Sequence, residues 1–225
     1  METKESFQIV YAELRKRILY GIYPDKFHLV VEHLSREFSV GKSVIQRVLQ
    51  SLEQERLVEN LKGRGFFVSC PNRQEDLLGL RNELETSAMR QVVNRISENE
   101  LKQLEYLADD VDQNKTEFNL VRYVDGEVAF HRYLVSCSGN DYLIHMHENL
   151  IDLVKQYLST YYKELFQVFQ NARNMSGLMS HRMVVESIYF ARRQKAPDVA
   201  IQVLKIHLTP PKGIVEALAA YDRTL

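Results

Sequence analysis

Apolar residues return at helical intervals along most of this chain, and one stretch stands out from that rhythm. From Val30 to Val68 it reads VVEHLSREFSVGKSVIQRVLQSLEQERLVENLKGRGFFV. A first short helical pattern would bury Leu34 and Phe38. After a break at Ser39-Val40-Gly41, Val44, Ile45, Val48, Leu49 and Leu52 form a second apolar face, and Leu57 and Val58 close that core. A compact Gly63-Arg64-Gly65 hairpin leads into the extended run Phe66-Phe67-Val68. Helix, tight turn, helix and two-stranded wing is an arrangement that lays one helix in a DNA major groove.

The flanks follow the same logic. Residues 5–20 place Phe7, Val10, Leu14, Ile18 and Leu19 at helical spacing, with Glu13 and Arg17 as a favourable four-residue pair. Gly21 and Pro24 stop this helix, and Phe27 and Leu29 are expected to return to the core as a short extended segment. Cys70-Pro71-Asn72 turns the chain after the wing, which sets a boundary near residue 71: a DNA-binding domain over 1–70 and a second domain over 71–225. In the second, helical patterns cover about 73–94, 98–113, 116–136, 141–170, 174–194 and 197–220. Ser97 and Glu100 fit a capping box, Ser138-Gly139-Asn140 separates two helices, and Pro197 suits a first helical position. Pro210-Pro211 must bend or divide the last helix. The expected fold is mainly α: an N-terminal winged helix-turn-helix followed by an all-helical antiparallel bundle of about six helices.

Composition narrows the classes. A hydrophobic content of 45% over 225 residues excludes wholesale disorder and suits one large or two modest domains. Apolar runs are too short to span a bilayer and the start does not resemble a signal peptide, so no membrane partner and a cytoplasmic home are expected. Cys70 and Cys137 are too few for a disulfide framework and lack zinc spacing. The net charge of -1 averages two unlike parts: residues 1–70 carry an excess of two positive charges and the remainder an excess of three negative ones. Charge therefore permits DNA binding without establishing it.

Two sets of side chains carry candidate chemistry. Lys42, Ser43, Gln46, Arg47 and Gln50 lie at the start or on the polar side of the second helix, and Lys62 and Arg64 in the wing. Lysine, serine and a helix N-terminus suit phosphate, while glutamine and arginine read base edges. Further on, Glu127 and His131 share one helix face, His181 opens another amphipathic helix, and His207 sits between Leu204 and Leu208 in the last. Three histidines and a carboxylate from three helices could converge on one ion. A histidine on an apolar face is nevertheless more often a hydrogen-bonded core residue, and Glu127 could pair with Arg122 or Arg132. His145 and His147, two apart, point to different sides and form no local ligand pair.

The whole chain resembles a GntR-family transcriptional regulator of the FadR subfamily, with a C-terminal FCD effector domain in its shorter, VanR-like form. LRKRILYGIYPDKFHLV, LSREFSVGKSVIQRVLQSLEQERLV and GRGFFV carry the likeness in the first domain. Where the family commonly has Ser-Arg-Thr-Pro-Val-Arg-Glu-Ala-Leu, this chain has Gly41-Lys42-Ser43-Val44-Ile45-Gln46-Arg47-Val48-Leu49. Lys42 keeps charge without guanidinium geometry and Gln46 is neutral where the family has arginine, which bears on operator sequence more than on DNA binding. In the second domain, Arg81-Asn82-Glu83-Leu84-Glu85 and GEVAFHRYLVSCSGNDYL resemble family patterns. Glu127 falls at the family's Asp position, and His131, His181 and His207 at its histidine positions. The resemblance thus implies a divalent ion, zinc or nickel, on these four residues, and makes Arg81 a candidate for an effector carboxylate.

It further implies a homodimeric regulator, a repressor released from a palindromic double-stranded operator by a small organic acid. Two alternatives stand beside it: a metal-dependent hydrolase, and a DNA-binding dimer whose metal is purely structural. The winged helix would be unexplained in the first, and no separate catalytic motif supports it.

Overall fold

The computed structural model describes residues 4–69, 74–117, 119–172 and 180–209. It divides into two compact units, Met1–Asn72 and Arg73–Leu225.

In the first unit α1 (Lys4–Leu19) buries Val10, Leu14, Ile18 and Leu19. The chain then forms β1 (His28–Leu29), α2 (Val31–Glu37) and α3 (Lys42–Gln54), followed by β2 (Val58–Leu61) and β3 (Gly65–Val68). Val44, Ile45, Val48, Leu49 and Leu52 of α3 are all buried, as their spacing requires, and they share a core with Leu34, Leu57, Val58, Phe66 and Val68. The turn into α3 runs through Ser39 at φ 52 and Val40, whose carbonyl accepts from Ser35 Oγ at 2.6 Å. The wing is a three-stranded sheet in the order β1-β3-β2, both pairings antiparallel, so the short segment before α2 supplies one edge. Gly63 and Gly65 stand at φ 76 and 93, a left-handed backbone that lets the hairpin close between β2 and β3.

Two aromatic residues sit farther out than expected. Phe27 is 40% exposed and stacks on Tyr23 at 4.7 Å instead of entering the core. Phe38 is half-buried beneath the Arg17 guanidinium, 5.2 Å from its ring. Arg17 also donates the expected bond to Glu13, at 2.8 Å, and pairs with Glu37, so one arginine ties α1 to α2.

The second unit contains α4 (Gln74–Arg95), α5 (Glu98–Thr116), α6 (Leu120–Ser136), α7 (Asp141–Ala172), α8 (His181–Gln194) and α9 (Pro197–Leu208). The capping box before α5 forms, with Ser97 N donating to Glu100 Oε2 at 2.8 Å and Glu100 N to Ser97 Oγ at 3.3 Å. Helix α6 starts a few residues later than the apolar pattern implies, because Asn119 accepts from Arg122 N and caps it there. Pro197 occupies the first turn of α9 as expected, whereas the Pro210-Pro211 break lies outside the described residues. Met89, Val92, Leu104, Val111, Phe130, Leu134, Val184, Ile188 and Leu204 form the apolar centre. Helices α5 and α6 meet so closely that a Cβ on Gly126 would lie 2.9 Å from Val111 Cγ2. Among the described residues no helix is long and apolar enough to cross a membrane.

One local weakness is correctable. Val30 occupies the N-cap of α2 with extended backbone and no side-chain bond to the first turn. Val30→Ser supplies that acceptor and should raise the stability of the first unit by about 0.5–1 kcal/mol, read as a higher urea midpoint with unchanged slope. A lowered midpoint would show that the valine methyls matter more than the cap.

Candidate metal centre

Four side chains from three helices meet inside the second unit. Glu127 and His131 stand one turn apart on α6, His181 is the first residue of α8, and His207 lies in the last turn of α9. Each offers one ligand atom, and these atoms all lie within 4.8 Å of one another. His131 Nε2 is 3.2 Å from His207 Nε2 and 3.3 Å from a Glu127 oxygen. Such separations match the edges of a coordination shell whose bonds are about 2.0–2.2 Å long. Three imidazoles and one carboxylate are a donor set that zinc and nickel accept. The residues present therefore fit a divalent ion.

Around this centre runs a second layer of charge. Glu85, fully buried on α4, accepts from Arg81 Nε at 2.7 Å, from His131 Nδ1 at 2.6 Å and from His147 Nε2 at 3.2 Å. Arg81 Nη2 reaches Glu127 at 3.0 Å. On the far side, Asp112 of α5 caps α8: it accepts from the backbone N–H of His181 and Arg182, pairs with Ser180 Oγ, and lies 3.3 Å from His181 Nδ1. His181 Nε2 meets Glu127 at 2.7 Å. The edges of the Tyr123 and Phe130 rings flank His181, so an apolar wall encloses the polar cluster.

Burial alone would push both carboxyl groups up. For Glu127 the His131 and His181 rings outweigh that effect and hold it well below the ordinary range. For Glu85, Arg81 and His131 do the same. Burial would lower His181, but Glu127 and Asp112 raise it overall, so without an ion this imidazole is inclined to carry a proton. His207 moves the opposite way, pushed down by burial and by its two histidine neighbours.

The sequence singled out the four converging residues and Arg81. It missed Glu85, His147 and Asp112. Glu85 had a visible signal, since it stands four residues after Arg81 on one helix face. His147 is buried and His145 exposed, in line with their opposite directions, but nothing local shows that His147 reaches α4. Arg81 itself is buried, with Nε and Nη2 already committed to Glu85 and Glu127.

In the first unit, Lys42, Ser43, Gln46, Arg47, Gln50, Lys62 and Arg64 are all exposed. Gly41 caps α3 without a side-chain bond, and its carbonyl accepts from Val44 N at 3.0 Å. Two of the cations are held over rings: Arg47 over Phe7 at 5.3 Å and Arg64 over Phe67 at 5.4 Å. Phe67 in turn stacks on His28, its partner across β1 and β3. Lys42 bonds Glu32 at 2.8 Å, with both side chains largely in solvent.

Comparison with known proteins finds two family matches along the chain. Residues 7–68 match the bacterial regulatory proteins of the gntR family, and residues 76–209 match the FCD domain. The HTH-type transcriptional regulator YdhC of Bacillus subtilis is 23% identical over 203 residues, spanning 88% of this chain and 85% of that one. The HTH-type transcriptional repressor NanR of Salmonella typhimurium is 24% identical over 206 residues, 80% and 73% of the respective chains. Among solved structures, a GntR transcriptional regulator from Rhodococcus sp. RHA1 aligns with a TM-score of 0.66 at 16% identity, covering 97% of this chain and 99% of the other. McbR/YncC of E. coli aligns with a TM-score of 0.63 at 15% identity over 98% and 99%. At such identities these two structures speak for the fold.

Glu85 provides a direct test of the buried charge. In the metal-free protein, Glu85→Gln takes from Arg81 one of its two carboxylate partners and should cost about 3 kcal/mol. Its carboxyl is depressed in the folded state, so the advantage of the wild type over the variant is fully present above the ordinary value of 4.5 and shrinks as pH falls through the folded one. Urea unfolding of both proteins from pH 7 downward measures this. A stability gap independent of pH would mean the loss is steric.

Proposed function

The chain belongs to the GntR family of bacterial regulatory proteins and carries its FCD domain, and from that premise we propose that it is a metal- and small-carboxylate-responsive repressor. It is a DNA-binding transcriptional regulator, not an enzyme, and the metal-dependent hydrolase alternative is set aside. The observation that carries the sensing half is the convergence of Glu127, His131, His181 and His207 within 4.8 Å inside a buried cage.

The DNA half rests on the exposed face of α3 and on the wing. Lys42 and Ser43 stand at the start of α3, where charge and the helix dipole favour a phosphate. Gln46, Arg47 and Gln50 follow along that exposed face, placed to read base edges. Arg64 and Lys62 extend the contact from the wing. A homodimer presenting two such faces suits a palindromic operator.

In the sensing half, a divalent ion held by the four side chains would offer its remaining coordination positions to an organic acid. Arg81 would orient that acid through Nη1, the nitrogen that neither of its carboxylate bonds uses. The Tyr123 and Phe130 walls limit water around the anion, which strengthens each polar contact. Derepression requires the acid to prefer the arrangement that binds DNA less well. Repression as the sign of control draws on the likeness to NanR, which is named a repressor.

Two measurements test these halves. On an operator selected from random duplexes, the Lys42→Ala/Arg47→Ala/Arg64→Ala protein should lose most of its affinity, and its log–log salt dependence should flatten by about 2–3. Gln46→Ala should instead relax base preference at one position by about 1–3 kcal/mol. Unchanged binding by the folded triple variant would place the DNA surface elsewhere. Operator titrations of the metal-loaded and chelator-stripped protein, with and without small hydroxy, keto and sugar acids, test sensing. If the loaded protein responds to none of them, the structural-metal reading takes its place.

A further inference from the structure

Three imidazoles face the centre, and among the described residues carboxylates brace two of them from behind. His131 Nδ1 meets Glu85 at 2.6 Å and His181 Nδ1 meets Asp112 at 3.3 Å. Each carboxylate fixes a proton on Nδ1 and turns the Nε2 lone pair toward the centre, the support that ligating histidines usually carry. Among the described residues His207 has no such partner. Its Nδ1 is buried, and no described residue bonds it.

That difference has a chemical consequence. A neutral imidazole holds one proton, on one nitrogen or the other. For His207 Nε2 to act as a donor atom, the proton must sit on Nδ1 as a buried N–H without an acceptor, and such orphans are rare in folded proteins. The uncompensated desolvation weakens its bond by roughly ten- to a hundredfold relative to a braced imidazole. Position adds to this. His207 lies in the last turn of α9, whereas His131 sits inside α6 and His181 stands under the Asp112 cap.

We infer that Glu127, His131 and His181 form the lasting seat of the ion, and that His207 is its weakest and most readily released protein ligand. This rests on the reading that the cluster holds a divalent ion.

The test uses metal alone. Stripped wild type, His207→Ala, His207→Gln, His131→Ala and His181→Ala are titrated with zinc against a chromophoric chelator, with folding checked by circular dichroism. Both His207 variants should bind one ion per chain within about tenfold of wild type, while His131→Ala and His181→Ala should weaken binding by about a hundredfold or more. A loss at His207 equal to that at His181 overturns the inference and leaves the metal-binding reading standing. A wild type that takes up no ion overturns both. Hydrogen exchange on the unaltered protein gives the answer independently of any variant's folding. Zinc should slow the amides around His131 and in the first turn of α8 more than those in the last turn of α9. Equal slowing in α9 counts against the inference.

Discussion

Burying a carboxylate in a helical bundle is tolerable only when the protein supplies its counter-charge, and this protein buries two. Glu85 and Glu127 lie in the middle of the second unit, where an unpaired charge would cost several kcal/mol. Arg81 is shared between them, His131 stands within reach of both, and His181 and His147 complete the shell. This constraint dictates the surroundings. It requires α4, α6, α7 and α8 to present their polar residues at one level, with the apolar layers around Leu104, Leu134 and Ile188 built about them.

Among the described residues, hydrogen bonds satisfy the metal-free cage apart from one nitrogen of His207. The first unit handles charge in the opposite manner. Its cations stay at the surface, where Arg47 and Arg64 lie over rings and Lys42 over an exposed glutamate. Contacts of this kind hold a side chain in place for little energy, so a phosphate can displace them readily.

Much of the fold was legible because periodicity reports burial. The apolar stripe of α3, the capping box at Ser97 and the proline opening α9 all lie where local rules put them. Local rules failed where a residue had a choice of neighbours. Phe27 and Phe38 read as core by hydrophobicity, yet Tyr23 and Arg17 give them partners at the surface. The third strand of the sheet was too short for alternation to mark, since only His28 and Leu29 pair. At the candidate centre, Glu127 and His131 are linked by helical spacing, but no spacing links α6 to Glu85 on α4 or to Asp112 on α5. Apolar helical patterns marked His181 and His207 as candidates, and the family resemblance matched them to its histidine positions. The partners behind the imidazoles come from packing between helices, which a one-dimensional pattern does not encode.

Helix α5 contributes none of the four converging donors and yet governs their spacing. Val111 rests against Gly126, the residue before Glu127, and the adjacent Asp112 grips the first turn of α8 and His181. Two consecutive residues of one helix therefore set the separation of α6 and α8. A lineage of such proteins could drift in which ion it prefers while every donor stays unchanged, simply by altering the bulk at 111 or the reach at 112. Comparing donors alone across relatives would miss that drift.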